Sequence, residues 1–169
     1  RQGDLMLATK GKCSLLSSRT GRWLAGPELP ATERRRHRHC AAQLQPGGVT
    51  LLCGGISDRY LSSVLVLPPT RSGGARWVPG AELSTARCDA GASVVVGPNR
   101  VAVVGGAHSP SHRLDSCELY DAAKDLWLLQ EARLPQPMCC RATSIAGNSA
   151  VLAVQSWCTD AQTVCALFD

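Results

Sequence analysis

The chain has 169 residues, of which 44% are hydrophobic, 4% are aromatic and 18% are charged, and its formal net charge is +5. This composition is typical of a globular protein and excludes a largely disordered chain, which would contain fewer large aliphatic residues. The longest apolar runs have the length of β-strands and end at turn residues, so we predict no transmembrane helix and no membrane partner.

Short β-strands are predicted along the whole chain, and helices almost nowhere. Residues 1–29 and 135–169 hold three strand-like runs each, and residues 30–83 and 84–134 hold four each. The runs of the two terminal segments are 5–9, 13–17, 23–25, 142–146, 150–155 and 163–168. The sequence therefore predicts about fourteen antiparallel strands.

A repeat of 51 residues relates the two central segments. Residues 49–55 (VTLLCGG) and 100–106 (RVAVVGG) are both apolar runs that end in a glycine pair. The same offset relates Arg36 to Arg87 and then to Met138. A fixed period of this length is typical of repeat proteins, in which each repeat forms one structural unit.

Three tryptophans follow the same order. Trp77 and Trp127 are 50 residues apart, and each lies 22 or 23 residues after the first glycine of its pair. Trp23 is followed by Gly-Pro-Glu-Leu starting three residues later, much as Trp77 is followed by Pro-Gly-Ala-Glu-Leu. We therefore expect Trp23 to play the same role as the other two tryptophans.

This arrangement resembles the kelch repeat, in which a hydrophobic strand ends in Gly-Gly, a later strand carries an aromatic residue, and a tryptophan follows. The third unit is the most similar, with Tyr120-Asp121 between its glycines and Trp127, whereas residues 64–69 (VLVLPP) replace the tyrosine segment in the second unit. The resemblance implies that the glycines form turns where a Cβ would clash and that the tryptophans fill the wedge between neighbouring units. The structural repeat residues are Trp23, Gly54, Gly55, Trp77, Gly105, Gly106, Tyr120 and Trp127.

The fold class implied by the resemblance is all-β, a kelch-type β-propeller in which each repeat forms one four-stranded antiparallel blade. The chain divides into a partial blade at 1–29, blades at 30–83 and 84–134, and a partial blade at 135–169, about three and a half blades of one incomplete propeller domain. Propellers need about four to eight blades to close. Because the chain also begins at Arg1 rather than at Met, we expect the remaining blades to come from a longer polypeptide or a second chain.

Loops at one end of the predicted blades carry the candidate binding residues. In kelch domains these loops are the turns after the glycine pairs, here 56–61 and 107–114, and the approaches to each first strand, here 32–39, 84–89 and 136–141. The candidate partner-binding residues in them are Arg34, Arg36, Arg38, Arg59, Tyr60, Arg87, His108, Arg113 and Arg141.

An arginine-lined channel mouth is the expected binding surface. If Arg36 and Arg87 occupy equivalent places on neighbouring blades, both should face that mouth. Paired hydrogen bonds from arginine favour an acidic or phosphorylated protein partner. The arginines, which make up 15 of the 18 basic residues, fit equally well a solvated surface or a codon preference. A nucleic-acid partner is disfavoured because no aromatic residues alternate with the basic ones.

A protein-interaction module is the predicted function, and kelch domains act as scaffolds or as substrate receptors of ubiquitin ligases. No cofactor and no metal site are predicted, because His108 and His112 lie in a Ser/Pro-rich turn and no Cys-x-x-Cys motif is present. The alternative is a kelch-like enzyme of the copper oxidase or sugar-acid isomerase type with its site in missing blades. The chain itself shows no catalytic set of residues, so we do not predict an enzyme.

Nine cysteines scattered through apolar segments are typical of a reducing compartment, which predicts a cytoplasmic protein.

Overall fold

The chain is all-β in the computed structural model, which describes residues 5–9, 12–17, 20–44, 48–69, 76–89, 93–95, 100–145, 150–155 and 165–168. These residues form sixteen strands and one 3-10 helical turn at Ala31–Glu33, and none of them lies in an α-helix. The strands make four antiparallel sheets and one two-stranded ribbon.

The first two sheets are simple antiparallel meanders. The first sheet contains β1 (Leu5–Thr9), β2 (Lys12–Leu16) and β3 (Trp23–Ala25) in chain order. The second sheet contains β4 (Cys40–Gln43), β5 (Thr50–Cys53), β6 (Val64–Leu67) and β7 (Val78–Gly80), again in chain order.

The third sheet is a meander interrupted by the ribbon. It contains β8 (Ser93–Val95) and β9 (Arg100–Val104), after which β10 (Ala107–Ser109) and β11 (His112–Arg113) form the ribbon. β12 (Ser116–Asp121) and β13 (Leu126–Arg133) then complete the sheet. The fourth sheet contains β14 (Cys140–Ile145), β15 (Ala150–Gln155) and β16 (Cys165–Phe168).

The predicted grouping of strands is confirmed, because the four sheets contain three, four, four and three strands. The ribbon formed by β10 and β11 was not predicted. Its two strands are only three and two residues long, and they are joined by a Ser-Pro-Ser turn that reads as plain loop in the sequence.

The sheets pack face to face in chain order, so their central strands are buried on both sides. In β5, Leu52 faces the first sheet, whereas Leu51 and Cys53 face the third. In β9, Val103 packs against the second sheet and Val104 against the fourth. Successive side chains of a strand point to opposite faces, and a strand covered on both faces is therefore a continuous apolar run. This is why both runs before the glycine pairs lack polar alternation.

The two glycine pairs occupy equivalent places and have the same backbone conformation. The φ angles are +58° and +105° at Gly54 and Gly55, and +63° and +97° at Gly105 and Gly106. A Cβ on Gly54 would lie 2.4 Å from the carbonyl oxygen of Arg87, and one on Gly105 would lie 2.6 Å from that of Met138. Positive φ and close backbone approach both exclude other residue types, which confirms the predicted reason for the glycines.

Two tryptophans bridge neighbouring sheets as predicted. The indole N–H of Trp77 donates to the carbonyl of Pro27 at 3.1 Å, and that of Trp127 donates to the carbonyl of Ala81 at 3.0 Å. Both indoles are buried in the cores between sheets. Tyr120 is buried beside Trp127, with ring centroids 5.1 Å apart, and its hydroxyl donates to Asp125 at 2.8 Å.

Trp23 bridges no two sheets in the part of the chain that the structure describes, so its predicted role stays a prediction. Trp23 is 52% exposed, against 5% for Trp77 and 8% for Trp127. It lies on β3, all three residues of which are exposed, and among the described strands β3 pairs with β2 alone. Its indole is exposed because no sheet in the described part of the chain packs on this side.

Candidate functional site

Arg36 is a structural residue at one end of the second sheet. Its side chain is completely buried after the 3-10 turn. Its Nη1 donates to the carbonyls of Gly54 at 3.2 Å and Ser63 at 3.1 Å, and its Nε donates to Glu33 at 2.8 Å. The guanidinium thus satisfies carbonyl oxygens at the ends of two strands, where the ladder of β5 and β6 stops.

Arg87 makes the same contacts one repeat later. It is also completely buried, and its Nη1 donates to the carbonyls of Gly105 at 2.8 Å and Ser116 at 3.2 Å. Its Nη2 donates to the buried carboxylate of Glu118 at 2.6 Å. That carboxylate also accepts from the backbone N–H groups of Ser84 and Thr85 at 2.6 and 3.2 Å. Charge-assisted bonds of this kind offset the cost of burying two ionised groups.

The prediction that Arg36 and Arg87 face the mouth of a channel is therefore wrong. Both guanidinium groups point into the protein because carbonyl oxygens at the strand ends lie where a planar donor can reach them. Met138, the third residue in this register, is also fully buried. The three residues related by the 51-residue repeat therefore do occupy equivalent positions, but these positions are buried in the core and not at the surface.

The remaining loop residues come together at the end of the sheets where the glycine pairs lie. We define the loop face as residues 37–39, 56–60, 86–89, 107–113 and 138–141. Backbone contacts join these segments: His37 bridges Ile56, Cys88 bridges Ala107, and the N–H of Asp89 donates to Arg38 at 3.1 Å. The N–H of Gly106, the residue directly before the fourth segment, donates to the carbonyl of Met138 in the fifth segment at 2.9 Å.

The charges of three exposed arginines of the loop face act on one buried thiol. Cys139, with Cys88 and Ala107, forms a small apolar cluster against which Ile56 and Tyr60 pack. Burial raises the pKa of the Cys139 thiol, and the charges of Arg113, Arg38 and Arg141 act in the opposite direction and lower it. These arginines come from three different segments, so the fold brings together positions that are up to 103 residues apart in the sequence.

Arg38 differs from the other two because it has an acidic partner. Arg38 forms an ion pair with Asp89, which lies 51 residues later at the equivalent position of the next repeat. Both residues have positive φ, +56° and +43°. Non-glycine residues in this conformation are strained and tend to occur at functional sites. The ion pair fixes two equivalent turns to each other.

Arg113 and Arg141 are exposed and form no ion pair with the described residues. The same holds for Arg59, in the turn beside Tyr60. The ring centroids of Tyr60 and His108 lie 6.4 Å apart, and those of His108 and His112 lie 6.3 Å apart. The predicted residues Arg38, Arg59, Tyr60, His108, Arg113 and Arg141 are therefore all on the loop face. Arg34 is apart from them and pairs with Glu28 at 3.2 Å.

Sequence reasoning missed Asp89, Cys88, Cys139 and Glu118. The register could have found Asp89, because an acidic residue 51 positions after Arg38 indicates a pair between equivalent turns. Cys88 and Cys139 are also 51 residues apart. The partnership of Glu118 with Arg87 had no such signal, because Leu65 occupies the equivalent position in the second sheet.

The described residues contain no group of three or more His, Cys, Asp or Glu side chains arranged to hold a metal ion. They also contain no helix long and apolar enough to cross a membrane. The sequence matches no protein-family model and no curated protein.

Proposed function

We propose that this chain is part of a kelch-type β-propeller that binds an acidic or phosphorylated segment of a protein partner on its loop face. Four observations support the propeller. The sheets are consecutive antiparallel meanders, they pack face to face in chain order, their glycine pairs share one conformation, and tryptophans cross from sheet to sheet. Each sheet would be one blade or part of one.

In such a propeller the exposed side of the first sheet is where the preceding blade packs. Trp77 and Trp127 each donate to a carbonyl four residues after the previous tryptophan of the series. Trp23 would donate to the corresponding carbonyl of a further blade. The remaining blades are supplied by a longer polypeptide or by a second chain.

The observation that carries the binding proposal is the convergence of Arg38, Arg113 and Arg141 on the loop face. Two of the three have no acidic partner among the described residues, and Arg59 adds a fourth exposed guanidinium nearby. A guanidinium binds a carboxylate or phosphate with two parallel hydrogen bonds, and several arginines on one surface can engage an extended acidic segment. The buried Cys88–Cys139 cluster and Tyr60 supply an apolar floor between them.

The cellular role that fits such a surface is a scaffold or a substrate receptor of a ubiquitin ligase in the cytoplasm. Its site would recognise a partner without chemical conversion. No cofactor is required for recognition of this kind.

Peptide binding tests the proposal directly. The probe is a fluorescently labelled peptide rich in glutamate, with a phosphoserine peptide as a second probe, and the readout is fluorescence anisotropy. We expect the double variant Arg113→Ala/Arg141→Ala to bind at least about tenfold more weakly, because each charge-assisted contact contributes about 1.5 to 3 kcal/mol. Binding should also weaken as the salt concentration rises.

The matched control is Arg76→Ala/Arg100→Ala. Both arginines are exposed and lie at the opposite end of the sheets, since Arg100 begins the strand that ends before Gly105. The control also removes two positive charges. Equal losses of affinity in both double variants would therefore show that only the net charge matters, and would overturn the proposal. Binding that is insensitive to salt would overturn it as well.

A further inference from the structure

A pair of cysteines in the second sheet has the geometry of a cross-strand disulfide. Cys40 and Cys53 are direct antiparallel partners in the register of β4 and β5. Direct partners in an antiparallel pair have Cα atoms about 4.5 to 5.5 Å apart, which lies within the range of about 4.4 to 6.8 Å found for disulfides. Both cysteines are unbridged thiols in this structure.

The two residues already contact each other. The thiol of Cys40 donates to the backbone carbonyl of Cys53, with Sγ 3.7 Å from the oxygen. Their environments differ, because Cys53 is completely buried whereas Cys40 is only partly buried. One thiol is therefore accessible to a small reagent, and the second can be reached only through the first.

We propose that Cys40 and Cys53 are a reversible redox site that closes to a disulfide by exchange with a small disulfide of the glutathione type. Cys40 acts as the attacking thiol and Cys53 as the resolving thiol. Because Cys53 is the residue directly before Gly54, the closed bond fixes the first strand of the second sheet to the strand that leads into its glycine turn. The proposal does not depend on the function proposed above.

The exchange consists of two balanced steps. The Cys40 thiolate attacks one sulfur of glutathione disulfide, which forms a mixed disulfide and releases one glutathione. The Cys53 thiolate then attacks Sγ of Cys40, forms the protein disulfide and releases the second glutathione. Two protein thiols are oxidised, one glutathione disulfide is reduced to two thiols, and the two protons leave with the glutathione.

The second step should be the slow one. Burial and the neighbouring Cys40 raise the pKa of the Cys53 thiol well above its usual range. Only the thiolate attacks. As long as the pH is below that pKa, each increase of one pH unit should therefore raise the rate of closure about tenfold. A disulfide held between two strands is also easily reduced again when its geometry is strained.

Peptide mass spectrometry of the unmodified protein tests the proposal. The reduced protein is equilibrated with mixtures of reduced and oxidised glutathione, the remaining thiols are alkylated, and the peptides are digested and mapped. We expect a linked pair of peptides containing Cys40 and Cys53, with the loss of two hydrogen masses, and its disappearance when reduced glutathione is restored. The Cys53→Ala variant should instead accumulate glutathione on Cys40, because no resolving thiol remains.

The pairs Cys88–Cys139 and Cys117–Cys140 are internal controls. Each pair shares an apolar cluster, but its members are not partners in a strand register. Linkage within these pairs while Cys40 and Cys53 stay reduced would overturn the proposal. So would glutathione that remains on Cys40 of the unmodified protein, without closure, over the whole range from pH 7 to about pH 9.

Discussion

Two arginines at equivalent positions show how the same residue can be read as surface from the sequence and as core from the structure. Arg36 and Arg87 lie in segments rich in charge, yet both are completely buried. What holds them there is a set of strand-end carbonyls, together with one carboxylate each, Glu33 and Glu118. Breaking such a pair costs more than the pair contributes, because the remaining charge stays buried.

Replacing one member of the Arg87–Glu118 pair should therefore be more harmful than replacing both. We expect Arg87→Met to lower the free energy of unfolding by about 3 to 5 kcal/mol, because it leaves Glu118 as an unpaired buried charge. The double variant Arg87→Met/Glu118→Leu should regain at least half of that loss. It installs the apolar residue types that Met138 and Leu65 provide at the equivalent positions. Urea unfolding of the three proteins measures both values.

An exposed ion pair is the control for this prediction. Arg133 and Asp115 lie 3.1 Å apart, and their side chains are 49% and 41% exposed. Arg133→Ala should change the free energy of unfolding by less than about 1 kcal/mol. A double variant no more stable than Arg87→Met would contradict the prediction.

Buried thiols should make the protein sensitive to alkali. Burial raises the pKa of Cys117 from 9.0 to about 12. Below pH 9.0 the contribution of this thiol to the stability of the folded protein is fully present. As the pH rises from 9.0 towards 12, the thiol ionises in the unfolded chain but not in the folded one, so this contribution is lost. We expect each such thiol to lower the free energy of unfolding by about 1.4 kcal/mol per pH unit in this window.

Unfolding by urea at a series of pH values from 8 to about 11 measures this slope. The variant Cys117→Ala should have a smaller slope than the unmodified protein, even if its stability at pH 8 is lower. A slope that is the same in both proteins would show that this thiol does not titrate differently in the two states.

At the scale of the element, the glycine pairs decide where each central strand ends. Gly54 and Gly105 follow strands that are buried on both faces, and their positive φ turns the backbone towards the next sheet. The N–H of Gly55 donates to the carbonyl of Arg87 at 2.7 Å, and that of Gly106 donates to Met138 at 2.9 Å. The turns therefore connect neighbouring sheets as well as ending a strand.

Two glycines with the same sign of φ separate conformational strain from steric clash. Gly21 has φ +66° with open space around its Cβ position, whereas a Cβ on Gly105 would meet the Met138 carbonyl at 2.6 Å. We expect Gly21→Ala to lower the free energy of unfolding by about 1 to 2 kcal/mol. Gly105→Ala should lower it by about 3 kcal/mol or more, because the contact between sheets must also open. Urea unfolding measures both variants. Equal decreases in the free energy of unfolding would show that the positive φ angle, and not the clash with the Met138 carbonyl, causes the loss.

At the scale of the whole molecule, the sheets pack in chain order, and the indoles of Trp77 and Trp127 each reach the segment that follows the preceding tryptophan of the series. The first sheet is the exception, because Trp23 on β3 is 52% exposed. Apolar area that is left in water forfeits about 25 cal/mol per Å², so an uncovered sheet face favours association. The structure thus offers a surface on which another sheet can pack.

We expect the 169-residue protein to associate in solution through this face. Light scattering over a range of concentrations should give a mass above that of the monomer, and Trp23→Asp should shift the protein towards the monomer by introducing a charge there. Leu129→Asp is the matched control, since Leu129 is also 52% exposed but lies on β13. Association that is unchanged by Trp23→Asp, or a monomer at all concentrations, would contradict the prediction.

The sequence by itself determined the repeat, the strand groups and the places of the glycine pairs and of Trp77 and Trp127. Those features depend on local chemistry, because a buried strand must be apolar and a turn with positive φ needs glycine. Only the tertiary structure decided which arginines are exposed, since the fate of a guanidinium depends on carbonyls and carboxylates from other strands. It also decided that Asp89 meets Arg38, because that contact joins segments 51 residues apart in the chain. The pairing of Cys40 with Cys53 depends on the register of two neighbouring strands.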